Sequence, residues 1–91
     1  MNALALFRMG RLVTSAGAHA RLSQEDILQG IRRHHAGDWG DVSPEGRLEN
    51  EFALHKGSRL WSVYHDSKGV KFWIITEADR SVTTILLPED Y

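Results

Sequence analysis

Leu60-Trp61-Ser62-Val63-Tyr64-His65, then Lys71-Phe72-Trp73-Ile74-Ile75-Thr76-Glu77 and Val82-Thr83-Thr84-Ile85-Leu86-Leu87, decide how this chain is read. All three runs are dense in aromatic, β-branched and Thr residues, and each has the length of a strand. Asp66-Ser67-Lys68-Gly69 joins the first two runs and Ala78-Asp79-Arg80-Ser81 the last two, both short enough for antiparallel hairpins. A three-stranded meander is expected. Side chains alternate along a strand, so Phe72, Ile74 and Thr76 share one face while Trp73, Ile75 and Glu77 share the other. Because both sets are largely apolar, either both faces are covered or one is an interface. Helices are assigned to the first face, and the N-terminal segment or a partner subunit to the second.

Upstream of the strands the punctuation is helical. Ser43-Pro44-Glu45 offers a capping hydroxyl, a proline at the first helical position and an acid in the first turn, predicting a helix to about Lys56 that Gly57 ends. Its inward stripe is expected to be narrow, carried by Leu48 and Phe52 four residues apart. Ser23 caps a second helix, Gln24 to about His35, with Asp26 reaching back toward the cap and Leu22 and Ile27 as a hydrophobic staple. Ile27, Leu28 and Ile31 form its apolar stripe, and Gly37 ends it. Earlier still, Leu4 to Thr14 is compatible with one short strand and a turn at Ser15 to Gly17, with Ala16 to Leu22 suited to a short helix. The expected fold class is α+β over residues 1–91 as a single domain: a short N-terminal strand, two main helices, then a three-stranded antiparallel meander packed on the helices.

Composition narrows the functions. The chain has 91 residues, with 11 Lys plus Arg against 12 Asp plus Glu and no Cys. One modest core is expected, and neither a disulfide framework, a thiolate zinc site nor a nucleophilic cysteine exists. Ala3 to Phe7 is the longest apolar stretch near the start, too short for a signal-peptide core or a membrane span, so a cytoplasmic protein without membrane partners is expected. A net charge of -1 does not indicate a nucleic-acid partner. Acids gather between Asp38 and Glu51, whereas Arg8, Arg11, Arg32 and Arg33 stand apart from them, so near-neutrality conceals opposed patches.

Two clusters are able to carry chemistry. The loop His34-His35-Ala36-Gly37-Asp38-Trp39-Gly40-Asp41 gathers imidazoles, carboxylates and an indole at a helix end. Its bland reading has Asp38 closing the turn, Trp39 plugging the core and the histidines capping carbonyls. Adjacent His34 and His35 point about 100° apart on a helix, and no metal-ligand spacing exists, so neither metal nor cofactor is expected. His34 or His35 as base, Tyr64 as proton donor and Arg80 as phosphate clamp would make the toolkit of a metal-independent ribonuclease. The hairpin Ile74 to Thr84 is the second cluster, although Thr76 is a good strand residue, Asp79 a turn former, and Arg80 a partner for Glu77 or Asp79. Trp61, Trp73, Tyr64 and Phe72 invite comparison with a base-stacking platform, but aromatic residues at strand spacing usually form core. Pro88-Glu89-Asp90-Tyr91 is expected to be a docked tail.

Gly10-Arg11-Leu12-Val13-Thr14 with Gly17, His35-Ala36-Gly37-Asp38-Trp39-Gly40, Glu49-Asn50, Gly57-Ser58-Arg59-Leu60 with Ser62 and Tyr64, and Trp73 through Tyr91 together carry a resemblance. The chain resembles a family of small bacterial plasmid-related proteins, some labelled subunits of type I restriction enzymes. The resemblance implies a mobile-element or accessory-gene context, linked to restriction, anti-restriction or plasmid maintenance. It does not imply a methyltransferase, since the chain has neither room for a cofactor domain nor the Asn/Asp-Pro-Pro-Tyr/Phe motif.

The expected function is therefore a small non-catalytic binding or regulatory protein, more a binder than an enzyme, working with a protein partner or as a homodimer. Its candidate binding residues are Asp38, Trp39, Asn50, Thr76, Asp79 and Arg80. The alternatives are the toxin-type ribonuclease and an acidic inhibitor of a nucleic-acid-processing complex, in which Asp38, Asp41, Glu45, Glu49 and Glu51 imitate a phosphate track.

Overall fold

The computed structural model describes residues 6–91, so positions 3–5 of the apolar stretch and the start of the expected N-terminal strand lie outside the described residues. In chain order the elements are β1 (Arg11–Thr14), α1 (Ala16–Arg21), α2 (Gln24–His35), α3 (Pro44–Lys56), β2 (Leu60–His65), β3 (Lys71–Thr76), β4 (Val82–Leu86) and a 3-10 turn, Pro88–Asp90. β2, β3 and β4 form the expected antiparallel meander. The N-terminal strand joins it parallel to β4, giving a mixed sheet of order β1-β4-β3-β2. The expected turn at Ser15 to Gly17 is instead a helix start: the Ser15 side chain accepts from the Ala18 amide and caps α1.

Local signals place α2 where they predict it. Ser23 Oγ accepts from the Asp26 amide at 3.0 Å, and the Asp26 carboxylate, its pKa lowered chiefly by Ser67 and in smaller part by Ser23, lies near the cap as expected. It also accepts from the Ser67 hydroxyl at 3.0 Å, tying α2 to the β2–β3 hairpin. Gly30 lets α2 lie close to the sheet, because a Cβ there would sit 3.0 Å from the Phe72 ring. Between the helices and the first face lies the main core of Ala18, Leu22, Tyr64, Phe72, Ile74, Ile85 and Leu87, with Ile27 and Ile31 against it. Leu28, expected in that stripe, is exposed.

α3 departs further from expectation. Its buried residues are Asn50 and Ala53, while Leu48 and Phe52 are exposed at 61% and 66%. The helix lies beside β2 rather than over the sheet, so its inward face is chosen by what that strand needs. The Asn50 amide donates to the Trp61 carbonyl at 2.8 Å and accepts from the Trp61 amide at 3.0 Å, serving the strand edge as another strand would. Two residues on, the Val63 amide donates to the Trp39 carbonyl at 3.0 Å, and the Asp41 amide donates to the Val63 carbonyl at 2.8 Å. Gly40 permits this approach with φ +75°, since any Cβ would collide with the Val63 carbonyl oxygen. Trp39, Ala53 and Leu60 form a second small core here with Phe7, Val42 and Leu54. Among the described residues, no helix is long and apolar enough to cross a membrane.

Candidate functional site

The sequence candidates separate in space. His34 is fully buried between α2 and the first face, with Nδ1 2.6 Å from Ser62 Oγ and Nε2 2.9 Å from Thr76 Oγ1. Thr76 Oγ1 lies 2.7 Å from Thr83 Oγ1, whose hydroxyl donates to the Met9 carbonyl at 2.7 Å. A carbonyl only accepts, and each hydroxyl has one proton, so the end of the chain dictates the directions back to His34. Thr83 donates to Met9, Thr76 to Thr83, and His34 Nε2–H to Thr76. Burial, reinforced by the charges of His35 and Arg80, lowers the His34 pKa to about 3, so the ring is neutral near pH 7 and its Nδ1 accepts from Ser62. A serine hydroxyl donating to an imidazole has the form of a nucleophile and its base, yet both groups are sealed from solvent.

The remaining candidates also have structural employment. His35 Nε2 lies 3.0 Å from the Phe7 carbonyl. The Tyr64 hydroxyl donates to the Asp38 carbonyl, and burial raises its pKa. Asp38 accepts from Arg33 Nε at 2.8 Å and Nη2 at 3.2 Å, a pairing that lowers its pKa, while Arg33 stacks over the Tyr64 ring. Trp39 is core, its indole N–H donating to Glu51 at 3.1 Å. Asp79 accepts from the Ser81 amide and hydroxyl within its turn. Arg80 does not pair with Glu77 or Asp79 carboxylates. In a left-handed conformation, φ 62°, it donates from Nη1 to the Ser58, Glu77 and Ala78 carbonyls and from Nη2 to Ala53. Its charge thus meets the Ala53 carbonyl in the last turn of α3 and the Ser58 carbonyl just past it.

The open feature is elsewhere. On the second face, Trp61 and Trp73 pack edge to face at 4.9 Å, and Tyr91 joins them at 5.2 and 5.7 Å. The expected platform is thereby split, with Tyr64 and Phe72 in the main core and the two Trp half-buried opposite. As expected the tail docks, through Asp90 to Ser15 at 2.6 Å and Glu89 to Arg21 at 3.2 Å, and it places Tyr91 on the face expected to be covered by the N-terminal segment or a partner subunit. Arg59 lies over both Trp61 and Tyr91 and donates to the Tyr91 hydroxyl and to Glu77. Between this face and α3 runs a groove of about 1100 Å³, floored by Trp61, Val63 and Trp73 and walled by Glu49, Phe52 and Lys56. Asp41 and Lys71 lie toward one end and Arg59 toward the other.

Of the six binding candidates only Asn50 lines the groove. In the sequence Trp61 and Trp73 read as a stacking platform set aside as core, and Asp41 and Glu49 as part of an acidic track, while Arg59 and Lys56 look like ordinary surface charge. Strand alternation was the available signal, since it places both Trp on one face. No group of His, Asp and Glu among the described residues has the arrangement of a metal site. Comparisons with protein-family models, curated proteins and solved structures yield no match, so the groove is interpreted from its own chemistry.

Proposed function

We propose that the protein is a small non-catalytic binding or regulatory protein that holds a segment of a partner protein in the groove between α3 and the second face. The observation carrying this reading is the aromatic floor that the fold leaves half open, since exposed apolar surface ringed by charge commonly marks a docking site. The rim selects the occupant. Glu49 and Lys56 stand seven residues apart on α3, roughly 10 Å along its axis. A rim of both signs repels a uniformly charged phosphate chain at its acidic end. It suits a peptide with a large apolar anchor between one basic and one acidic residue.

The ribonuclease reading has less support, because Arg80 already donates to four carbonyls and His34 is sealed. The acidic-mimic reading loses Asp38 to Arg33 and Glu51 to Trp39. A mobile-element or restriction-linked setting belongs to this proposal on the sequence resemblance alone.

Selection of random 12-residue peptides on the intact protein tests the reading. Enriched peptides should carry an aliphatic or aromatic anchor flanked by opposite charges, lose binding at least tenfold to Trp61→Ala, and change charge preference with Glu49→Lys. Enrichment of nothing, or of peptides indifferent to both substitutions, overturns it. So does Trp61-dependent binding of a single-stranded RNA 12-mer in their place.

A further inference from the structure

We infer that β1 is the docking edge for a second copy of this chain. The two edges of the sheet are unlike: β2 has the outward backbone groups of Trp61 and Val63 taken by Asn50 and the Trp39–Asp41 loop, whereas β1 has only β4 beside it. The Arg11 amide donates to Ser81 and the Ser15 amide to Ile85, so odd-numbered residues of this parallel pair face β4. Leu12 and Thr14 consequently aim both their N–H and their C=O outward, and these groups have no partner among the described residues. All four residues of β1 are exposed, Leu12 at 47% and Val13 at 37%.

One symmetric register satisfies these groups. With two β1 strands antiparallel and Val13 on the twofold axis, Leu12 of each copy faces Thr14 of the other, and each such pair exchanges both of its backbone hydrogen bonds. Val13 then meets its own counterpart in the closely spaced, non-hydrogen-bonded position. Arg11 falls opposite Ser15 of the second copy. In each copy the Ser15 hydroxyl donates to the Asp90 carboxylate at 2.6 Å, so an Arg11 cation faces an Asp90 anion twice across the axis. This charge match argues for a second copy rather than an arbitrary strand as the occupant. A four-residue edge is short, which places the dimer among weak interfaces with Kd on the order of 10–100 μM.

Sedimentation equilibrium of the full chain, with circular dichroism to check the fold of each variant, is the test. The expected result is a monomer–dimer equilibrium in that range. Hydrogen exchange at the Leu12 and Thr14 amides should slow as concentration rises. Val13→Lys should weaken association at least tenfold by placing like charges on the axis, and Leu12→Pro should do so by removing an outward N–H that β4 does not use. Arg11→Asp should weaken it as well, with Arg11→Asp/Asp90→Arg restoring it. A monomer at about 1 mM, a dimer indifferent to Val13→Lys, or a double reversal that restores nothing would overturn the inference. If a β1 variant loses its fold, concentration-dependent exchange in the unaltered chain decides alone. Because no peptide is involved, the outcome is independent of the groove reading.

Discussion

The two faces of one sheet handle their side chains in opposite ways. Toward the helices, Ser62, Thr76 and Thr83 join His34 in a fully buried run of hydrogen bonds, and no buried side-chain polar atom among the described residues lacks a partner. On the other side, Trp61, Trp73 and Tyr91 contact one another and stay half open to solvent. The polar groups are thus sealed while much of the apolar surface is displayed. The lesson is that burial here follows satisfaction: a hydroxyl whose proton has a designated acceptor is safe inside, and an aromatic ring needs no partner to remain outside.

Three measurements sharpen this contrast. Phe72→Ala should be the most damaging, removing a core ring and costing about 3–5 kcal/mol in denaturant unfolding, against at most about 1.5 kcal/mol for Trp61→Ala on the other face. Comparable losses from the two would erase the distinction between the faces.

Acid should act through the polar run. Below pH 6.5 the unfolded chain takes a proton at His34 that the folded protein refuses until about pH 3, so stability falls as pH falls through that window. The contribution approaches about 1.4 kcal/mol per pH unit, and His34→Gln should reduce the slope by close to one proton. An unaltered slope in that variant would show that His34 titrates normally in the fold.

Smallest in stability is Arg59→Ala, which gives up exposed contacts with Glu77, Trp61 and Tyr91 worth about 1 kcal/mol or less. A larger loss in thermal unfolding would mean that Arg59 holds the tail in place, and that the second face depends on Tyr91 as the first depends on its core.

Much of this architecture is legible in local chemistry. Ser23 and Ser43 start α2 and α3 where a capping hydroxyl should, and strand alternation assigns Trp73 and Ile75 to a different face from Phe72 and Ile74. What local chemistry does not express is partnership at a distance. β1 pairs with β4 across about seventy residues, a choice no short-range signal encodes. Leu48 and Phe52 satisfy the amphipathic rule yet face out, because α3 is oriented by the demand of β2 for a backbone-like partner at Asn50. His34 sits in a basic, solvent-like run, and only the hydroxyls converging from three strands explain its burial. The candidate site was less legible than the fold, since its floor consists of residues whose usual place is the interior.

Asn50 also bears on how far the sheet can extend. A side-chain amide on the Trp61 backbone works as a terminator: it occupies the donor and acceptor that another chain would need, and offers no outward ladder of its own. Strand addition is then blocked along Trp61 to Val63 of β2 and open along β1, so growth by this route ends after one step. Two molecules joined there would present a terminated edge at each end, giving a finite assembly rather than a fibre.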